Sequence, residues 1–158
     1  MIRLVSQAAG LFLLASLMFA QTAPSTPAPS PAADDYSGMY TFLREGEFVQ
    51  LTVEDNGQVT GFISRYGDLD SDKGAFLDQF FKTAKLDQRK LSFTTETVHG
   101  VWYEFKGDLE RGEGKNPGDE AYWIMRGILT QNVSDTNKKV SSTTRNVVFK
   151  QFPQNAGE

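Results

Sequence analysis

Cysteine is absent from the chain. That excludes thiol nucleophiles, cysteine-ligated zinc, iron–sulfur clusters, redox dithiols and disulfides together. It also removes the acceptor thiol that a lipid-anchored lipoprotein requires. Histidine occurs once, as His99, so no two-histidine metal site can form. Basic charge is scarce as well: 16 Lys and Arg stand against 20 Asp and Glu, a formal net charge of −4. A mildly acidic protein has no electrostatic grip on nucleic acid or anionic lipid. No G-x-S-x-G elbow is present, and Gly112-Glu113-Gly114-Lys115 lacks both the Walker spacing and the Ser/Thr that follows its lysine. No cofactor is expected.

Long apolar runs are missing except at the start. Residues 1–20, MIRLVSQAAGLFLLASLMFA, carry Arg3, an apolar core densest from Gly10 to Phe19, and a small residue at Ala20. This is the pattern of a secretory signal peptide, with too short an apolar run for a membrane span. An uncleaved N-terminal anchor is the alternative. Residues 21–35 form a Pro/Ala/Ser linker, with four of the six prolines in 22–33, an extended spacer by composition. A domain at 36–153 and a tail at 154–158 follow. The expected location is a bacterial periplasm or the exterior, with no membrane span once the signal is cleaved.

The domain itself reads as strands. In Phe48–Glu54, Val49, Leu51 and Val53 alternate with Gln50, Thr52 and Glu54, the period of a half-buried strand. Asp55-Asn56-Gly57 then offers the positive φ angles of a hairpin turn, and 58–64 returns. Strands are also expected near Tyr40, over 90–97, over 101–105, over 121–130 and over 145–152. Loops are expected at 107–120 and 131–144. His99-Gly100 reads as a turn. Phe76, Leu77, Phe80, Phe81 and Ala84 recur at helical spacing, which predicts one amphipathic helix over about 74–86, capped by Ser71 or Asp72. The sum is mainly β: an up-and-down antiparallel meander of about 7–8 strands, closed or partly closed into a small barrel.

Ser37-Gly38-Met39-Tyr40, Phe48 and LTVEDNGQVTG at 51–61 resemble the opening of the avidin and lipocalin superfamily (calycin) of ligand-holding barrels. Met39 and Tyr40 stand where those families place a tryptophan. The resemblance implies a meander barrel and carries over no ligand-binding residue.

Candidate sites each have a plainer reading. Asp68, Asp70 and Asp72 alternate like the start of a calcium loop, but Lys73 and Gln79 occupy the places that an EF-hand gives to glycine and glutamate; helix capping is the alternative. His99 is a general base or a turn residue. Glu96, Glu104, Asp108 and Glu110 hold no spacing that marks a glycosidase pair. The aromatic strand residues are core or pocket lining, since a small barrel either fills itself or holds one ligand. Trp102 and Trp123, with Tyr103 and Tyr122, line a common wall if they point the same way. The leading expectation is a non-catalytic binding protein for a small apolar or aromatic ligand. The alternatives are a ligand-free envelope protein-interaction domain and, remotely, a weak hydrolase using His99.

Overall fold

The computed structural model describes residues 36–54, 56–68 and 72–154. The expected signal peptide, the linker and the tail beyond Gln154 lie outside these residues. Eight strands run in order: β1 (Gly38–Thr41), β2 (Phe48–Val53), β3 (Val59–Tyr66), β4 (Phe76–Asp87), β5 (Lys90–Thr95), β6 (Val101–Arg111), β7 (Trp123–Ser134) and β8 (Val140–Lys150). Each pairs antiparallel with the next, and the sheet order is the chain order. Short turns explain this. Gly57 takes φ 78°, and Asn56 Oδ1 accepts the Gln58 N–H at 2.7 Å. At the far end, Asp135 Oδ1 accepts the N–H groups of Asn137 and Lys139, both at 2.9 Å.

The sheet curls until the chain after β8 reaches β1. Tyr40 and Gln151 form a bridge, Phe152 N–H donates to Met39 O at 2.8 Å, and Lys150 N–H donates to Thr41 Oγ1 at 2.9 Å. Because β1 has 4 residues and β8 has 11, closure is confined to one end. The result is a half-barrel.

The expected helix at 74–86 is corrected: the segment is β4. A four-residue spacing is shared by a helix face and a strand face, so Phe76 and Phe80 satisfy both. In the sheet they face outward, 50% and 60% exposed, while Leu77, Gln79 and Phe81 face inward. The first part of β4 pairs with β3 as far as Phe80, and the second pairs with β5 from Phe81. A bulge between Phe81 and Thr83 shifts the phase, which turns Ala84 and Leu86 inward too. Apolar residues on both faces of one strand had imitated a helical stripe. The two expected loops also shrink, since β6 continues to Arg111, β7 to Ser134, and β8 begins at Val140.

Aromatic rings fill the interior. Phe81 stacks on Phe93 at 4.2 Å, Phe93 on Phe105 at 5.3 Å, and Phe105 lies 6.0 Å from Phe149. Phe42 touches both Phe149 and Tyr103 at 5.3 Å. Gly107 and Gly127 face each other across β6 and β7. A Cβ on either would sit 2.3 Å from a neighbouring carbonyl oxygen, so only glycine lets this long pair coil so tightly round the core.

Two phenols in that core are expected to make stability fall in alkali. Tyr40 donates to Tyr36 O at 2.7 Å. Burial, with Tyr36 beside it, raises its pKa far above the ordinary 10.0. Burial likewise raises that of Tyr103. The folded state therefore holds the neutral phenols. Their contribution is complete below the unfolded value near 10 and is lost as pH rises toward the folded values. The urea midpoint is expected to be level from pH 7 to about 9 and to fall above about 10. Tyr40→Phe should make that fall shallower; an unchanged fall would place its cause elsewhere.

Candidate functional site

The open end of the half-barrel is built from buried charge. After β1 the chain turns over Phe42–Glu47 and buries the Glu47 carboxylate. That carboxylate accepts the Arg44 N–H at 3.0 Å, Arg44 Nε–H at 2.8 Å and the Tyr66 N–H at 3.0 Å. The hydrogen bond that Arg44 donates to Glu47 holds the guanidinium still more firmly protonated than usual. Arg44 also donates to Asp68 Oδ1 at 3.1 Å.

Arg65 lies on the inner face of β3, only 2% exposed. It donates to Gln79 Oε1 at 2.6 Å and to Asp68 Oδ2 at 3.1 Å. Its guanidinium sits 5.8 Å from the centre of the Tyr103 ring. Gln79, completely buried, passes the network on. Its amide donates to Glu96 O at 3.1 Å and Val101 O at 2.8 Å. One glutamine thus joins β4, an arginine on β3 and the turn before β6.

That turn carries His99. His99 and Gly100 both have positive φ, 50° and 78°, and Val98 and Val101 exchange two backbone hydrogen bonds around them. This is the two-residue hairpin turn that matches strand twist. The turn aims the imidazole at buried Asp72, with Nδ1 2.7 Å from Oδ2. An ionised carboxylate only accepts, so in this pair Nδ1 is the donor.

These groups enclose a cavity of about 430 Å³. Its cations are Arg44, Arg65 and Arg145, and its acids are Asp68 and Asp72. His99 and Gln131 are its other polar groups, and Leu43, Val101 and Val133 are its apolar wall. Arg44 and Arg65 each have a carboxylate. Arg145, exposed on β8, reaches only Gln131 Oε1 at 3.4 Å, with no ion pair among the described residues.

The aromatic residues expected to form a wall are separated. Trp102 pairs with Asn132 on the outer face, whereas Trp123 pairs with Arg111 on the inner face. Trp123 packs at 4.7 Å on Tyr36 and 5.4 Å on Tyr122. Arg111 lies 3.2 Å from the Tyr122 ring centre. Tyr103 is core beneath Arg65. None of the four lines the mouth cavity. Of the aspartates, Asp68 serves two arginines and Asp72 serves His99, while Asp70 lies outside the described residues; their capping role lapses with the helix. Among the described residues no group of three His or acidic side chains is placed to hold a metal.

The arginines and Gln79 escaped sequence reading, although a signal existed. Arg65 is in phase with inward Ile63, and Gln79 with Leu77 and Phe81. A polar residue in phase with the apolar face of a strand marks a buried network. In comparisons with known proteins, the chain matches no family model and no curated protein.

Proposed function

We propose that this domain is a non-catalytic binding protein that takes a small organic anion with an apolar body into the mouth cavity. The observation that carries this reading is Arg145: it is the one cation of the cavity with no carboxylate partner among the described residues. An anionic head would meet it beside Gln131, and an apolar body would lie along Leu43, Val101 and Val133. The expected apolar or aromatic ligand thereby acquires a charge, and the site moves from the tryptophans to the arginines. The lining offers no hydroxyl, thiol or amine nucleophile, which favours binding over covalent catalysis. Export by residues 1–20 and display on the 21–35 spacer would put this binding outside the cytoplasm.

The test is calorimetric titration with a panel of aliphatic and aromatic monocarboxylates. Charge-assisted hydrogen bonds contribute about 1.5–3 kcal/mol, so Arg145→Ala should weaken the best ligand roughly 10- to 100-fold while leaving the melting temperature of the free protein unchanged. Equal binding by wild type and Arg145→Ala, or no binding by any acid, sinks the reading.

A further inference from the structure

A separate observation concerns the outer edge of β8. Its register with β7 is regular from Ile124↔Lys150 to Ser134↔Val140. Its other edge meets β1 only at Lys150 and beyond. Gln151 N–H donates to Trp123 O on the β7 side, whereas Lys150 N–H and Phe152 N–H point toward β1. By antiparallel alternation, Val140, Ser142, Thr144, Asn146 and Val148 turn their N–H and C=O groups toward the free edge. Among the described residues none of these groups finds a strand partner. Val140–Asn146 are exposed without a break, so half of this strand stands clear of the core.

Charge is segregated at the same place. Residues 136–157 contain four basic side chains, Lys138, Lys139, Arg145 and Lys150, and no acidic one, in a chain of net charge −4. Natural edges are blunted by shortness, proline, bulges or charge. This edge is long, regular and free of proline, and keeps only the charges. They repel a second copy of β8 and attract a strand of opposite sign.

We propose that β8 is a docking edge for an extended acidic peptide segment of a partner protein, which adds to the sheet as a ninth strand. Backbone pairing supplies the attachment, and acidic side chains at alternate positions meet Arg145 on one face and the flanking lysines at the ends.

The probes are an acetylated Val/Glu alternating octapeptide and its Val/Lys counterpart, each added to the intact domain. Amide exchange by NMR should show Ser142, Thr144, Asn146 and Val148 exchanging freely alone and becoming protected with the Val/Glu peptide only. Thr144→Pro removes an N–H that β7 does not use, which an edge tolerates, and should weaken binding at least 10-fold. Should that variant fold poorly, the reversal Lys138→Glu/Lys139→Glu/Arg145→Glu gives a second reading: it should lose the acidic peptide and gain the basic one. Absence of protection overturns the proposal, as does equal binding of both peptides. So does protection in the free protein, whether it depends on concentration (a second copy) or not (cover by the chain itself).

Discussion

Gln79→Leu is expected to destabilise the domain by about 3 kcal/mol, because it strips the partner from a buried cation and two backbone carbonyls at once. The leucine fills a similar volume, so the loss is polar in origin. Arg65 Nε would lose its 2.6 Å acceptor. The carbonyls of Glu96 and Val101 would lose donors at 3.1 and 2.8 Å. Arg65 is only 2% exposed, so water cannot easily replace the missing acceptor. Arg65→Met should by itself cost a similar amount, but the double variant should cost less than the sum of the two. Once the cation is gone, one of the three groups that Gln79 satisfies has gone with it. Urea unfolding of the four proteins in a double-mutant cycle measures this, with a coupling of about 1–3 kcal/mol expected. Strict additivity would mean that the two side chains do not share a network.

Phe105→Ala carries a still larger expected effect, about 4 kcal/mol. Phe105 has no exposed surface and stands between Phe93 at 5.3 Å and Phe149 at 6.0 Å. Its removal opens a gap in the middle of the ring stack, which strands on both sides hold apart, so collapse can recover little. Phe80→Ala is the control. Phe80 is 60% exposed on the outer face, with its ring 5.4 Å from that of Phe62; the expected cost stays within about 0.5 kcal/mol. Thermal and urea unfolding decide it. A cost below about 1 kcal/mol for Phe105→Ala would mean a loosely filled interior and would return the ligand question to the barrel's centre.

Much of the fold was legible because it is local. Alternation at Val49, Leu51 and Val53, and turns at Asn56-Gly57 and His99-Gly100, each declare a strand or a hairpin within ten residues. A meander is such hairpins laid side by side. β4 was illegible for a specific reason. It changes partner at Phe81, carries a bulge, and keeps aromatics on its solvent face, so its pattern has no clean period. The site was less legible still. His99 was visible as a residue, but its partner Asp72 is 27 positions away, brought there by a turn conformation and not by spacing. Arg65 on β3 and Arg145 on β8 line one cavity, and no local signal reports which distant residues border the same cavity. The tryptophans misled because two strands on either side of a loop say nothing of phase; only the pairing of Trp123 with Arg111, in phase with Tyr103, separates Trp123 from Trp102.

The seam between Tyr40 and Gln151 has a mechanical consequence. Gln151 and Gln154 both donate through Nε2 to Ser37 O, at 3.2 and 3.0 Å, so the polypeptide enters and leaves the half-barrel side by side, away from the Leu43–Arg145 opening. Tension applied through both ends would peel the seam one hydrogen bond at a time, as a zip opens, and would meet little resistance. Tension applied between Ser37 and the His99 turn would load whole strand pairs in parallel and meet far more. A surface or fused domain attached ahead of Tyr36 or behind Gln154 would therefore leave the opening pointing away from the attachment, unobstructed from either direction.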